Sequence, residues 1–262
     1  MVNEIKSLPP LPASIVRIQE LCMSTDTNID ELAHVIEGDP MLSANILKSV
    51  NSPLYGMSKE ISSIPQAIML FGISMIRGFA AANAIKKAMP IDLTPYATTI
   101  EHLSEISTLQ TALVREWYRN VDKAMLPLLQ SGAFFMELGK LAASLRVIAA
   151  GEFERFSQEI MQDKPITEIE RCYLGLSSYE IAAMMFEHWN FEPTLVEVLR
   201  NISNPNTTNP YAQALSVIVK AVNVRHTLSE ESKKEAFEAI EIFGLNRDAF
   251  EEALQSLNAR NK

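Results

Sequence analysis

Apolar residues along this chain recur at spacings of three and four, and that periodicity predicts amphipathic helices. Ile15, Ile18 and Cys22 fall on one stripe of a helix predicted over 13–23. Asn28 is placed to cap the next helix, with Glu31 in its first turn, and Gly38 to end it in the left-handed conformation many helix ends adopt. Asp39-Pro40 reads as an N-cap followed by proline at the first helical position, where its missing N–H costs nothing. That helix runs to about Val50, Asn51-Ser52-Pro53 breaks the pattern, and a loop continues through Ser63. A short apolar helix over 65–71 stops at Gly72, and a longer one runs from Ser74 to Met89.

Further helices are predicted over 99–119, 124–138, 141–150, 152–162, 167–174, 178–189, 194–202, 211–226, 229–243 and 247–258. Ser178 is read as the N-cap of its helix. No alternating β-branched run closed by an Asn-Gly or Asp-Gly turn appears, so the fold class is all-α. Two prolines within six residues, Pro90 and Pro95, mark the hinge between two lobes. About five helices lie before it, packed on a second helical lobe, and residues 206–262 form a C-terminal helical extension packed on that second lobe.

Composition narrows the function classes. A chain of 262 residues with 47% hydrophobic content can bury a sizeable core. Its longest apolar candidate, Ala67 to Ile76, is interrupted by Gly72 and Ser74 and falls short of the ~18 residues a membrane span needs. The expected location is therefore the cytoplasm, with Cys22 and Cys172 as buried free thiols in a reducing compartment and a disulfide between them as the alternative. The net charge of −9 is uneven, since residues 1–90 carry 7 Lys+Arg against 8 Asp+Glu and the rest carry 16 against 24. An acidic chain with no basic block is a poor match to the phosphate neutralisation that nucleic-acid binding requires. Neither nucleic acid nor membrane is an expected partner.

The four histidines, His34, His102, His188 and His226, include no pair at metal-ligand spacing on one helix. The chain also lacks a phosphate-binding glycine loop, a Gly-x-Ser-x-Gly elbow and a cysteine in a nucleophile setting. These motifs assign no catalytic residue, metal or cofactor. Met69, Met75, Met184 and Met185 read as core filling, with a promiscuous peptide groove as the alternative.

Four segments carry a resemblance in order: Leu8-Pro9-Pro10-Leu11-Pro12; Ile36-Glu37-Gly38-Asp39-Pro40-Met41-Leu42; Val50-Asn51-Ser52-Pro53-Leu54-Tyr55-Gly56; and Ile64-Pro65-Gln66-Ala67-Ile68 closing on Leu70-Phe71-Gly72. Together they resemble the HDOD family, HD-related output domains of bacterial signal transduction. The likeness covers residues 6–205, split as an N-terminal lobe over 6–90 and an HD-like lobe over 91–205. In the parent HD superfamily a histidine, a His-Asp dipeptide and a later aspartate hold metal ions that activate water. Here His102 falls where the first histidine is expected. Ser131 to Leu141 is similar to the stretch carrying His-Asp in active members, with Met136 and Glu137 in that pair's place. Ser177 and Ser178 stand where a further Asp-His is carried.

A thioether is a soft, weak ligand, so the resemblance implies a pseudoenzyme without metal. His102 reads as a structural histidine, or as part of a small polar pocket with Glu137. Asp39, Pro40, Asn51, Ser52, Tyr55 and Gly56 form a candidate interaction loop, or simply cap helix ends. The leading expectation is a non-catalytic regulatory module acting on unknown protein partners, in motility or gene-expression control. A nucleotide or second-messenger sensor using the old HD pocket is the alternative, and Lys140 or Arg146 converging near His102 would favour it. A metal-dependent phosphohydrolase is the remaining option.

Overall fold

The computed structural model describes Ile5, Leu8 and residues 10–23, 28–88 and 91–260. Pro9 of the first motif, and Met89 and Pro90 at the expected hinge, lie outside the described residues. The chain divides into two compact units: Pro9–Pro90 with Gln255–Lys262, and Ile91–Leu254 with Met1–Leu8. No described residue belongs to a strand of a sheet; the fold is all-α, with one isolated bridge between Val222 and Thr227.

The first unit is built from α1 (Ala13–Met23), α2 (Ile29–Glu37), α3 (Pro40–Val50), α4 (Ile64–Phe71) and α5 (Ile73–Ala88). Side-chain caps fix where three of these begin. Asn28 accepts from the amide of Asp30, Asp39 from the amides of Met41 and Leu42 at 3.0 Å each, and Ser63 from that of Gln66. Each satisfies helix-start donors that would otherwise lack partners. Gly38 ends α2, but at φ −64 it is right-handed. The next residue, extended Asp39, already caps α3, so the chain needs no left-handed reversal there.

α4 and α5 bend by 119° at Gly72, whose φ of 80 suits a residue without Cβ. No single helix among the described residues is long and apolar enough to cross a membrane. Met75 is buried as expected, but Met69 is 70% exposed, on the face of α4 opposite buried Ala67, Ile68 and Phe71.

The second unit comprises α6 (Ile100–Tyr118), α7 (Leu126–Phe135), α8 (Gly139–Ala149), α9 (Phe153–Ile160), α10 (Ile166–Leu174), α11 (Ser178–His188), α12 (Pro193–Asn201), α13 (Pro210–Ala221), α14 (Glu230–Phe243) and α15 (Arg247–Arg260), the last shared with the first unit's Gln255 onward. α6 packs on α7, α11 on both α8 and α12, and α13 on α7 and α14. Phe135, Phe186 and Phe191 meet at ring distances of 4.4 to 5.5 Å, and Trp117 lies 4.8 Å from Phe250 while donating to the carbonyl of Asn246. Edge-on pairs like these add to the burial of large apolar surfaces.

Three sequence expectations need correction here. α7 ends at Phe135 and a single 3-10 turn, Met136–Leu138, carries the chain into α8. α13 stops at Ala221 instead of reaching 226, because Val222 turns extended at φ −139 and pairs with Thr227. Cys172 is exposed and Cys22 half-buried, since the buried positions of α10 are Ile166, Ile169 and Glu170.

Gly139 opens α8 at φ −61, so its conformation would suit any residue; its space would not. An added Cβ would lie 1.8 Å from the carbonyl oxygen of Ser178 and 2.8 Å from the amide of Ala182, both backbone atoms of α11. At Gly132 the obstacle is one side-chain methyl of Leu215, at 2.6 Å. Gly132→Ala should therefore cost about 1–3 kcal/mol, the usual range for overpacking, and Gly139→Ala clearly more. Urea unfolding of the two variants checks that order.

Candidate functional site

The residues in the His-Asp position lie on the 3-10 turn between α7 and α8, and both are fully buried. Met136 joins the core. Glu137 meets Lys140, three residues on, with its Oε2 2.7 Å from the ammonium and both side chains no more than 1% exposed. Gln110 of α6 donates from Nε2 to Glu137 Oε1 at 2.8 Å and to the carbonyl of Val222 at 2.9 Å. Both partners are acceptors, so the amide cannot be flipped, and Gln110 Oε1 is left buried without a partner among the described residues.

A second buried carboxylate completes the cluster. Glu170 of α10 accepts from the amide of Ser178 at 2.7 Å and from the hydroxyl of Tyr96 at 2.9 Å. Lys140 Nζ reaches Ser178 Oγ at 3.2 Å and lies 4.8 Å from the ring centre of Tyr179 and 5.7 Å from that of Tyr96. One ammonium thus faces two acids and two aromatic rings, all out of water. Burial pushes the Glu170 carboxyl above its ordinary value, and Lys140 with the donors from Ser178 and Tyr96 only partly offsets this. Burial, reinforced by Glu170, likewise pushes the Tyr96 phenol well above its ordinary range, so it serves as a donor.

The two serines play separate parts. Ser177, not Ser178, is the N-cap of α11: its hydroxyl accepts from the amide of Glu180, whose carboxylate accepts in return from the Ser177 amide, a reciprocal capping box. Ser178 is the first helical residue, and its amide and hydroxyl are committed to Glu170 and Lys140. The capping box needs Glu three places after the cap, and that spacing was visible in the sequence.

His102 is not part of this cluster. It sits in the first turn of α6 with its side chain 44% exposed, 3.8 Å from Glu105. Eight residues separate it from Gln110, about 12 Å along the helix. Lys140 converges on Glu137 instead of His102, and Arg146 is exposed. In the first unit Asp39 and Pro40 start α3. Asn51 accepts from the amide of Ile61 and donates to the carbonyls of Leu47 and Ile61, which ties the loop to the end of α3. Ser52 precedes a 3-10 turn over Pro53–Tyr55, Tyr55 is 3% exposed with its ring 4.9 Å from Phe71, and Gly56 closes the turn at φ 61.

An HD-type metal centre does not fit these residues. The carboxylate in the His-Asp position is already neutralised by an internal ammonium, the thioether beside it belongs to the core, both serines are committed, and the histidine points elsewhere. Among the described residues no group of three or more His, Cys, Asp or Glu side chains is placed to hold a metal ion.

Removing one member of a buried ion pair strands the other. Lys140→Met should cost about 3–5 kcal/mol, and the double variant Glu137→Met, Lys140→Met should be more stable than Lys140→Met alone. Denaturant titration of the two proteins tests this. Because the folded-state value of Glu170 is raised, its contribution is full below the ordinary carboxyl value of 4.5 and is lost as pH rises through the raised value. Glu170→Gln should remove that part of the slope when unfolding midpoints are measured from acid to neutral pH.

The HDOD domain model matches residues 8–205. The Val222 carbonyl that Gln110 uses lies beyond that match, within the same compact unit. Among solved structures the fold is similar to a “Putative phosphohydrolase” from Shewanella amazonensis SB2B, with TM-score 0.70, 20% identity, and 98% of this chain and 92% of that one covered. It is also similar to a “Putative signal transduction protein” from Marinobacter aquaeolei VT8, with TM-score 0.72, 22% identity, and 97% and 58% covered. An HDOD domain protein of unknown function from Geobacter sulfurreducens aligns with TM-score 0.61, 16% identity, and 98% and 92% covered. An uncharacterized protein of Treponema pallidum is 29% identical over 73 residues, a match spanning 28% of this chain and 14% of that protein's length. With three quarters of its length matched by the family model, this chain belongs to the HDOD family.

Proposed function

We propose that this protein is a non-catalytic bacterial regulatory module that transmits a signal through protein–protein contact. The observation that carries the reading is the buried Glu137–Lys140 pair at 2.7 Å. A metal-dependent hydrolase needs ligand atoms that are open to a cation and to the substrate it polarises. Here the acid that would ligate is closed off from water and already compensated, so displacing Lys140 would strand a buried charge. Membership of the HDOD family and likeness in fold to a signal transduction protein support regulation, and the cytoplasm is the location that suits it. Motility and gene expression are the processes in which we expect its partners.

Adding Mn2+ or Mg2+ should leave the unfolding temperature unchanged and phosphodiester hydrolysis at the buffer rate. A rise in both that Glu137→Gln or His102→Ala abolishes would sink the reading. Cross-linking in the native host should recover the same partner with the wild type and with a His102→Ala variant.

A further inference from the structure

Beside the sealed cluster lies an open cavity of about 550 Å³, within the second unit, between the start of α10, the α12–α13 loop, α13 and α14. That size falls in the range of about 300–1,000 Å³ found for pockets that take small organic ligands. Val219, Ala239, Ile242 and Phe243 supply an apolar wall, and Lys164, Thr167, Tyr179 and Lys220 supply donors.

Several of those donors are uncommitted. Lys164 and Lys220 form no ion pair with any described residue. α10 begins after Pro165, which caps nothing with its side chain, so the amides of Ile166 and Thr167 at the positive end of the helix donate to no described group. Tyr179 is an independent sign of a ligand. It is only 4% exposed and lines the cavity, its ring rests on Lys140, and its hydroxyl makes no hydrogen bond to a described residue. That hydroxyl is free to donate to an acceptor placed in the cavity. The acids on the wall, Asp163, Glu231 and Glu235, act on Arg225, whose guanidinium is tied to the carbonyls of Gln162 and Lys164. Three acids thus face three cations on the wall, and of those cations the two lysine ammoniums make no contact to a described residue.

We propose that this cavity binds a small organic anion, its anionic oxygens received by Lys164, Lys220, the first amides of α10 and Tyr179, and its body lying against Val219, Ile242 and Phe243. The site is separate from the vestigial HD centre, with Tyr179 as the wall between them, and it goes beyond the regulatory reading without depending on it.

Calorimetry with the full chain tests the proposal, using AMP, phenyl phosphate and benzoate as organic anions, with adenosine and inorganic phosphate as the two halves of AMP. At least one organic anion should bind, more tightly than either half, and more weakly at high salt. Lys164→Ala and Lys220→Ala, both at exposed positions, should each weaken that binding by roughly tenfold, the loss expected for a charge-assisted contact. Tyr179→Phe should weaken it a few-fold. Glu235→Gln should tighten it, a direction that mere destabilisation would not produce. The proposal fails if none of the three organic anions binds, if adenosine binds as well as AMP, or if the double lysine variant binds undiminished.

Discussion

The second unit is organised around one buried ammonium. Taking a lysine out of water costs several kcal/mol unless opposite charge and well-placed acceptors replace the lost hydration. Lys140 obtains those from Glu137 one helical turn back, from the field of Glu170 on α10, from Ser178 Oγ on α11, and from the faces of Tyr96 and Tyr179. Gln110 of α6 holds the far oxygen of Glu137 and ties it to the backbone after α13. Any element that moved would expose or strand a charge, so the cluster fixes where these elements sit. Gly139 belongs to the same constraint: α8 can bring Lys140 beneath α11 only because residue 139 has no Cβ to strike the Ser178 carbonyl.

This arrangement also explains what became of the HD geometry. The place on the chain where a metal would be gripped is occupied by a fixed cation belonging to the chain itself. Glu137 keeps the negative charge expected of that position, and an ammonium three residues later answers it. Two buried acids share one ammonium, and burial raises the Glu170 carboxyl value, with Lys140, Ser178 and Tyr96 drawing it only part of the way back.

Much of the fold was legible because it is written in short-range signals. Asn28 and Asp39-Pro40 announce helix starts through contacts two or three residues away, and those starts are where the sequence placed them within a residue or two; Ser63, read as the end of a loop, caps α4 in the same way. The cap of α11 was misplaced by one residue because Ser177 and Ser178 both fit the pattern, and only Glu180 at the third helical position decides between them. The cluster was legible in part. The Met136-Glu137 substitution identified its location, yet Gln110, Tyr96 and Glu170 could not be found that way, since their bonds join residues separated by 27 to 112 positions where only the tertiary fold defines proximity. His102 drew attention as a rare residue type, and it lies on the exposed first turn of a helix whose buried face meets the cluster two turns later.

The sealed centre and the open cavity share one residue. Tyr179 presents its ring to Lys140 on one side and lines the cavity on the other. Burial and the nearby carboxylates push its phenol far above the ordinary range, so at neutral pH it remains a donor able to meet an incoming oxygen. An acceptor bound there would polarise the hydroxyl and press on α10, α11 and the α12–α13 loop, elements pinned by Glu170 and by the Arg171 contacts to Glu180 and Ser203. A ligand changes a protein's state only through contacts that differ between states. The contacts around Lys140 are held by the cost of stranding a charge, so a ligand bound as proposed would act first on the contacts of the cavity wall.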